Sequence, residues 1–552
     1  MNRRELVAAA SASFLSAPAF AKNRVAPKAR LILTGGSIYT GVHGRPAAGA
    51  IAIEGGTIVQ VGTLADARAR LPRAKEIDLA GGAAFPGFVD SHAHMTGIGL
   101  REMTLNLDSV KSISDLQAKV AAWAAQNPTG PLTGRGWIET HWPEGRFPTR
   151  QDVDAIVPDR PLLLGRSDGH AALANSALLK LAGIDATTAD PPGGQILKDK
   201  MGEPTGMLID NAQALVESRM PSISPAMIRE ALIKADRLYA SRGWTGLHNM
   251  SVSGEDLIAM KALALSGDIH LRVDNYLDTA FAGDVLRLGP SVDATGRIST
   301  RGVKLYSDGA LGSRGAALLA PYADAPDSQG LLLTPEAQVL EVLARAKKSG
   351  AQVAMHAIGD RGNRQTLDWF EQVLGSAKTN RRWRVEHAQV VSPQDIPRFA
   401  KLGIIASMQP SHAIGDLFFA PARLGTERLK GAYAWTSLLK TGAMVCGGSD
   451  APVEQGDPRI EFYAAMYRHA LNGFVGPEWG LEERVSRNEA LSMFTKSAAY
   501  AVGAEKQRGV LAPGMAASIS VFSRDFMTVK PADILDAKTV LTMVDGKIVF
   551  EG

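Results

Sequence analysis

The sequence contains a single cysteine, Cys446, so no intrachain disulfide can form. It also lacks a long run of lysine and arginine, and its formal net charge is only +4, which argues against nucleic-acid binding. Beyond the N-terminal region, no segment is long and apolar enough to span a bilayer. A chain of 552 residues with this ordinary composition is expected to form one large domain and a second, smaller one.

The N-terminal region has the pattern of an export signal. The basic segment MNRRE precedes the short apolar segment LVAAASASFLSA, and Ala19-Phe20-Ala21 is a typical cleavage site. We therefore predict a signal peptide over residues 1–21 and a periplasmic or secreted protein, without stable membrane insertion after cleavage. Arg3-Arg4 is also compatible with a twin-arginine signal, and a membrane-tethered N-terminus is the alternative.

Both ends of the remaining chain consist of short strand-like segments separated by glycine pairs. Residues 28–84 and 507–552 share this pattern, which predicts one composite β-sandwich domain built from the two ends. The region between them, residues 85–506, alternates strand-like and helical segments. An exception is an insertion at about residues 100–225, which lacks simple alternation and includes MTLNL, a candidate extra strand.

Eight strand-like segments in the central region end in polar residues. They are GFVDSHAH (87–94), TGLHNM (245–250), HLRVDNYL (270–277), GVKLYSDG (302–309), QVAMHAIGD (352–360), WRVEHAQV (383–390), IIASMQPSH (404–412) and MVCGGSDAP (444–452). Eight strands that alternate with helices predict an α/β fold of the (β/α)8 TIM-barrel type. The polar residues would then meet at the C-terminal end of the barrel, where barrel enzymes place their sites.

Histidines dominate these strand ends. His92 and His94 are two residues apart, so in a strand they face the same side and could bind a divalent metal. By itself this pair is weak support, because a hydrogen-bonded core histidine is common. His356, His387 and Asp450 also follow apolar strand residues, where an ionisable group is costly unless it is paired or ligated. Together the five residues predict a metal site.

Lys304 lies between a valine and a leucine inside a predicted strand. A buried lysine either loses its charge or finds a partner, and one interpretation pairs it with a carboxylate such as Asp308. The other interpretation is a lysine carbamylated by CO₂, which becomes a carboxylate-like ligand able to bridge two cations.

This set of residues resembles the amidohydrolase superfamily of metal-dependent hydrolases over nearly the whole chain. More narrowly, the segments GWIETHWPEGRFPT, DGHAALANSALL, VKLYSDGALGSRGAAL, GGSDAPV and GVLAPGMAASI resemble the amidohydrolase-3 branch, which includes N-substituted formamide deformylase-like enzymes. The resemblance implies the same barrel and composite β domain that the strand pattern predicts.

The resemblance also implies roles for individual residues. His92, His94 and Asp450 would bind the more buried metal, His356 and His387 the second, and carbamylated Lys304 would bridge them. Some superfamily members instead hold one metal with only the first histidine pair, the residue of the His356 type and the aspartate. In those members a residue of the His387 type contacts the substrate and there is no lysine bridge. We therefore expect one or two divalent metals per chain, with zinc favoured.

The implied activity is metal-dependent hydrolysis of a non-peptide C–N bond in a small molecule: an amide, formamide or cyclic amide. The cation would generate hydroxide near neutral pH, and Asp450 would pass the proton of the water to the leaving nitrogen. Alternatives on the same scaffold are a carbamate, ester or lactone hydrolase and a deaminase. A non-catalytic binding protein is the alternative of a different class, and a homodimer is a possible assembly.

Residues outside the metal set are candidates for substrate contacts. Those in the insertion or at the same barrel end are Trp137, Trp142, His170, Asp308, Arg314 and His412. Arg314 could hold a carboxylate, although a surface arginine is the more common explanation. His248 also ends a strand but is expected to be structural.

Overall fold

The structure is a computed structural model that describes residues 29–42, 44–477 and 479–552. The predicted signal peptide, residues 1–21, lies outside the described residues. The first elements of the described chain are short and mostly extended. They are β1 (Arg30–Ile38), β2 (Ala48–Glu54), β3 (Thr57–Gly62), α1 (Leu64–Arg70), β4 (Lys75–Asp78) and β5 (Ala83–Pro86).

The first barrel strand, β6 (Phe88–Ala93), is followed by an insertion with its own sheet. The strands of this sheet are β7 (Leu105–Asn106), β8 (Leu132–Trp137), β9 (Leu162–Arg166), β10 (Ala171–Ala174), β11 (Gly194–Lys198) and β12 (Pro204–Asp210). Five helices accompany β6 and these strands: α2 (Met95–Arg101), α3 (Ile113–Gln126), α4 (Arg150–Asp154), α5 (Ser176–Ala182) and α6 (Ala214–Glu217). The segment MTLNL contributes β7 to the insertion sheet, whose order is β11-β12-β10-β9-β8-β7.

Seven further strands complete the barrel, and one short strand, β15, pairs beside it. These are β13 (Trp244–Val252), β14 (Arg272–Asp278), β15 (Ser291–Val292), β16 (Ile298–Tyr306), β17 (Gln352–Ala357), β18 (Arg384–His387), β19 (Ile405–Met408) and β20 (Val445–Gly447). The barrel order is β6-β13-β14-β16-β17-β18-β19-β20, with all neighbours parallel. A parallel bridge between Ala93 and Ala451 links the last strand region to the first, so the sheet is nearly closed.

Further helices accompany the barrel strands. They are α7 (Pro225–Arg242), α8 (Gly254–Ser266), α9 (Val285–Leu288), α10 (Glu336–Ser349), α11 (Asp360–Leu374), α12 (Ile396–Leu402), α13 (Pro410–Asp416), α14 (Ala420–Leu429), α15 (Trp435–Lys440), α16 (Pro458–Tyr467), α17 (Arg487–Phe494) and α18 (Lys496–Ala501). The longest, α7, shows how the sequence sets helix ends. Ser224 accepts a hydrogen bond from the Met227 amide, Pro225 occupies the first turn, and Gly243 ends the helix with φ of +99°.

The C-terminal elements return to the first sheet. They are β21 (Ile519–Phe522), α19 (Pro531–Leu535), β22 (Thr539–Val544) and β23 (Lys547–Glu551). β21 pairs with β5, so one eight-stranded sheet contains strands from both chain ends, in the order β23-β22-β21-β5-β1-β2-β3, with β4 beside β1. This sheet and the parallel barrel confirm the predicted fold class.

A group of phenylalanines joins the composite sheet to the barrel. Phe85 of β5 and Phe88 of β6 have ring centroids 5.7 Å apart, and Phe522 lies 5.7 Å from Phe88. Gly87 separates β5 from β6, and a Cβ there would lie 2.3 Å from the Thr245 hydroxyl, so the backbone passes where only glycine fits. Among the described residues, no helix has the length and apolar character needed to cross a bilayer.

Candidate metal centre and substrate cavity

The predicted ligands come from five different strand ends of the barrel. β6 supplies His92 and is followed by His94, β16 contains Lys304, β17 contains His356, β18 ends at His387, and Asp450 lies shortly after β20. All six side chains line one cavity of about 640 Å³ at the C-terminal end of the strands, here called the barrel mouth. The structure therefore brings every predicted ligand to one place.

Asp450 lies at the centre of this group. Its Oδ1 is 3.1 Å from His94 Nε2 and 3.4 Å from His92 Nε2, and its Oδ2 is 3.9 Å from His387 Nδ1. His92, His387 and Asp450 are buried and each offers a ligand atom, and these atoms all lie within 4.8 Å of one another. Three converging nitrogen and oxygen donors are a suitable partial coordination shell for a divalent metal.

Two of these residues have an unusual backbone conformation. His387 has φ of +71° and Asp450 has φ of +61°, in the left-handed region that is costly for residues other than glycine. Strict alternation along β18 would place His387 on the same face as Val385, away from the face that carries Glu386. With the positive φ of His387, the side chain instead points into the barrel mouth, where its ring centroid is 4.8 Å from that of His92.

Each of the three central imidazoles is held through its Nδ1. That atom of His92 is 2.5 Å from Glu386 Oε2, that of His94 is 3.2 Å from the Met250 carbonyl oxygen, and that of His387 is 2.8 Å from Gln409 Oε1. Such partners fix the ring orientation and the tautomer of metal-binding histidines. The arrangement leaves Nε2 of each ring available to a ligand, and the Nε2 atoms of His92 and His94 face Asp450.

Glu386 belongs to a buried polar network that the sequence reasoning missed. The Arg384 guanidinium pairs with the Glu386 carboxylate, and it donates to the Ser91 carbonyl at 2.6 Å and to His248 Nδ1 at 2.9 Å. All of these groups are buried. His248 thus lies in the interior beneath the mouth, as a structural residue, and Glu386 connects this network to His92.

His356 and Lys304 extend the central group. The ring centroid of His356 lies 4.5 Å from that of His387, and its Nε2 is 3.4 Å from the Gly309 carbonyl oxygen. Lys304 Nζ is 3.5 Å from His92 Nε2 and 5.0 Å from the Tyr306 ring centroid. Within the described residues no ion pair joins Lys304 to Asp308, so the simpler interpretation of a lysine–aspartate pair is not found.

The electrostatics favour neutral imidazoles around an ionised Asp450. Burial lowers the pKa of His92, His356 and His387 well below the ordinary value, and the neighbouring positive charges add to this effect. Burial acts to raise the pKa of Asp450, but His92 and His94 outweigh it and hold the pKa well below its usual range. Burial also lowers the pKa of Lys304 to about 8. Neutral imidazole and ionised carboxylate are the forms that bind metals.

Two of the substrate candidates face the cluster. His170 lines the large cavity, and its Nδ1 is 2.6 Å from Asp210 Oδ1. Burial acts to lower the pKa of His170, but the hydrogen bond to Asp210 and the charges of Asp210, Asp168 and Asp450 together outweigh it and raise the pKa to about 8. His412 lines a second cavity of about 210 Å³, and His356, His387 and Asp450 line both this cavity and the large one. The Nε2 atom of His412 is 3.7 Å from Asp450 Oδ2.

The structure does not bring Trp137 or Trp142 to either cavity. Both are buried in the core of the insertion, where their ring centroids are 6.1 Å apart. The indole nitrogen of Trp137 donates to the Leu164 carbonyl at 2.8 Å, and that of Trp142 donates to the Val110 carbonyl at 3.0 Å. Their apolar rings and satisfied N–H groups serve the packing of the insertion rather than a substrate.

Asp308 and Arg314 also lie off the cavity walls. The Asp308 carboxylate accepts hydrogen bonds from three backbone amides, those of Ala317, Ile358 and Gly359, and thereby fixes the loop after β16. Burial raises the pKa of Asp308 to about 7. Arg314 forms an ion pair with Asp324 at 2.9 Å and is partly exposed, which agrees with the surface explanation.

Comparison with known proteins identifies the family. The sequence pattern of the amidohydrolase family matches residues 75–550. The chain belongs to the amidohydrolase family. The pattern of the bacterial imidazolonepropionase-like composite domain matches residues 49–74 of this amidohydrolase, a stretch that contains β3, α1 and most of β2. Members of the family are hydrolases, and the resemblance read from the sequence is confirmed.

Individual relatives extend this result. The amidohydrolase is 34% identical over 534 residues to a putative amidohydrolase, YtcJ, of Bacillus subtilis (strain 168), covering 95% of this chain and 99% of that protein. It is 27% identical over 522 residues to an N-substituted formamide deformylase of Arthrobacter pascens, covering 91% and 95%. An uncharacterised metal-dependent hydrolase from Pyrococcus horikoshii OT3 has a similar structure, with a TM-score of 0.75 and 27% identity over 91% of this chain and 99% of that one.

Proposed function

We propose that this amidohydrolase uses a divalent metal held at the barrel mouth to hydrolyse a non-peptide C–N bond of a small molecule. The observation that carries the proposal is the group of buried ligand atoms on His92, His387 and Asp450, all within 4.8 Å of one another. Chance rarely places three such donors together at the catalytic end of a barrel.

The donor chemistry of the mouth fits a metal. The Nδ1 atoms of His92, His94 and His387 are occupied by acceptors, which leaves the Nε2 atoms for coordination. Imidazole nitrogen and carboxylate oxygen together favour zinc among the common divalent cations, although related metals bind such sets. Zinc is therefore our first choice of metal.

A second metal is part of the proposal. His356 lies beside His387, and Lys304 Nζ lies 3.5 Å from His92 Nε2, so a carbamate on Lys304 would extend into the cluster. In this form His92, His94 and Asp450 would hold one cation, His356 and His387 would hold the other, and carbamylated Lys304 would be a ligand of both. The alternative is one cation, with His387 contacting the substrate instead.

Asp450 is proposed as the proton-transfer residue. A divalent metal bound at this position would lower the pKa of a water and polarise the bond under attack. The Oδ1 atom of Asp450 is engaged with His92 and His94, whereas Oδ2 faces His387 and His412. We assign Oδ2 to accept a proton from the attacking water and return it to the leaving nitrogen.

The choice of an amide-type bond is supported by the similarity to the formamide deformylase. Carbamate, ester and lactone hydrolysis and deamination use the same kind of attacking water and remain the alternatives. Loss of a ligand would favour a binding protein without catalysis, but every proposed ligand lines the same cavity.

Export and assembly belong to the proposal as well. The basic and apolar N-terminal segments support a signal peptide over residues 1–21 and a periplasmic or secreted enzyme. Fractionation of cells that express the full chain or a chain lacking residues 2–21 tests this. A homodimer stays a prediction, which light scattering of the purified protein can examine.

The central experiment combines metal analysis with a substrate panel. Purified protein should contain about one or two divalent ions per chain, as a mononuclear or two-metal site requires. It should hydrolyse formamides or N-acyl amines, and a chelator should abolish this activity. His270→Ala is a matched control, because His270 is a partly exposed histidine that contacts Asp236 and lies off the cavity. Full turnover without bound metal, or hydrolysis of esters or aminopurines alone, would contradict the proposal.

A further inference from the structure

Arg135 is a cation on the cavity wall. It lies on β8 of the insertion, and its side chain lines the cavity that contains the proposed metal ligands. Its Nη2 donates to the Ser167 carbonyl at 2.7 Å, which anchors the guanidinium against the loop after β9. Of the ion pairs formed within residues 29–42, 44–477 and 479–552, none includes Arg135.

Neighbouring charged groups from the insertion are satisfied in a different way. Asp168 forms an ion pair with Arg166, and His170 contacts Asp210 at 2.6 Å. A guanidinium has five N–H donors, and the hydrogen bond to Ser167 uses only one of them. Burial lowers the pKa of Arg135, and the charges of Asp108, Asp450 and Asp168 oppose this effect without outweighing it, so the surrounding protein compensates the cation only in part.

We propose that Arg135 binds a carboxylate of the substrate, so that the preferred substrates of the barrel-mouth site are amides that carry one anionic group. This inference rests on the proposed function. The planar guanidinium can donate two parallel hydrogen bonds to a carboxylate, which selects for both charge and orientation. Asp168, Asp210 and Asp278 also line the cavity, and their charges disfavour a dianion such as a phosphate monoester more strongly than a monoanion.

The remaining wall of the cavity is consistent with a polar substrate. Thr279, Thr334, Gln213 and Gln338 contribute hydroxyl and amide groups to the lining. Such groups donate and accept hydrogen bonds but carry no charge. His170 also lines the cavity from the insertion, but it is already paired with Asp210, so among the described insertion residues of the lining Arg135 is the cation without a carboxylate in an ion pair. The proposed carboxylate contact therefore sets which end of the substrate points away from the metal ligands.

Two matched pairs of amides test the proposal, because the carboxylate could lie on either side of the scissile bond. N-benzylsuccinamate is compared with N-benzylbutanamide, and N-acetylphenylalanine with N-acetylphenethylamine. For zinc-loaded wild-type protein, kcat/KM should favour the carboxylate member of at least one pair by about tenfold or more. Arg135→Met should abolish that preference through KM while changing kcat/KM of the neutral member by less than about twofold.

Arg135→Lys keeps the charge but loses the planar fork, and it should retain part of the preference. Arg287→Met is the matched control, since Arg287 is an exposed arginine on α9 that pairs only with Asp284. Absence of a preference in both pairs, or a preference that survives in Arg135→Met, would overturn the inference. An equal loss for charged and neutral members would show a structural role and would also overturn it.

Equilibrium binding separates this inference from the proposed function. Isothermal titration of the four matching compounds in which CH₂ replaces the amide N–H, and which cannot be hydrolysed, into zinc-loaded wild type and Arg135→Met measures recognition without turnover. If no amide is hydrolysed, the proposed function fails, yet an Arg135-dependent preference of about tenfold for a carboxylate compound would still support the anion site. If binding is equal for charged and neutral compounds, the anion site fails whatever the reaction is.

Discussion

The barrel mouth and the insertion both form the wall of the substrate cavity, but they present polar groups differently. At the barrel mouth the ionisable side chains contact one another, as in the approach of His94 and His92 to Asp450. From the insertion, Arg135 reaches the cavity with a backbone carbonyl as its hydrogen-bond acceptor. Ionisable side chains that contact one another, as at the barrel mouth, suit the binding of a resident metal ion. A guanidinium without a carboxylate partner suits the binding of an anionic group of the substrate.

This difference assigns separate tasks to the two regions. The barrel strands are rigid elements, and the residues behind them, such as Glu386 and Gln409, fix the orientation of the mouth histidines. The insertion has its own core and its own sheet, so its loops can differ without disturbing the barrel. The comparison therefore places the proposed chemistry on the barrel and the proposed substrate selection on the insertion.

The largest expected effect comes from removing a ligand at the barrel mouth. His92→Ala or His94→Ala should lower kcat/KM by about a thousandfold or more and reduce bound metal at the same time, because a coordinating nitrogen is lost. Metal content by mass spectrometry and turnover are measured on the same sample. Normal metal occupancy with normal turnover in either variant would contradict the assignment, and His270→Ala serves as the control.

The barrel half of this comparison could be predicted from the sequence. Apolar strand residues precede each of the predicted ligands, and an ionisable residue at such a position is costly unless something compensates it. That cost is why His92, His94, His356, His387 and Asp450 stood out. The turn of His387 into the mouth could not be predicted, because alternation alone puts it on the other face and the left-handed φ is set by tertiary packing.

The next largest effect concerns Lys304, which decides between one metal and two. If Lys304 is a carbamylated bridge, Lys304→Ala should reduce the metal content from about two to about one and lower turnover about a hundredfold or more. Added acetate or propionate should restore part of the activity by filling the gap. A wild type with one metal that the variant retains would instead favour a mononuclear site with His387 on the substrate.

A smaller effect is expected from Glu386, which orients His92 from behind. Glu386→Gln should weaken metal binding about 10- to 100-fold. It should also destabilise the fold by about 3–5 kcal/mol, because Arg384 would be left as a buried charge without its partner. Metal titration and denaturant unfolding measure the two effects.

Glu341→Gln is the control for Glu386, since Glu341 lies on the surface and pairs loosely with Arg345 at 3.7 Å. Unchanged metal affinity in Glu386→Gln would show that His92 keeps its orientation without this contact.

The sequence did contain a signal for the network of Arg384 and Glu386. Arg384 and Glu386 are opposite charges on one face of an otherwise apolar strand, a pattern typical of a buried ion pair.

The insertion half could be predicted less well, and its tryptophans show why. A large aromatic ring can pack in a core or contact a substrate, and neither role carries the desolvation cost that marks a buried ionisable residue. The sequence therefore does not distinguish the two roles for Trp137 and Trp142. Arg135 was not singled out either, because an arginine between two glycines in GRGW is compatible with any surface strand. Which insertion residues face the barrel depends on how the two sheets pack, and no local pattern records that.

The smallest expected effect on activity comes from Trp137, and it tests whether this residue packs the insertion or contacts the substrate. Trp137→Phe should leave KM and kcat within about twofold of the wild type, because the ring lies in the insertion core and lines neither cavity. It should lower the free energy of unfolding by about 1–2 kcal/mol, through loss of the hydrogen bond to the Leu164 carbonyl and a smaller ring. Thermal unfolding and steady-state kinetics on one preparation separate these outcomes. A rise in KM of more than about fivefold with unchanged stability would return Trp137 to a role in substrate binding, and the insertion would then contribute aromatic contacts as well as the Arg135 charge.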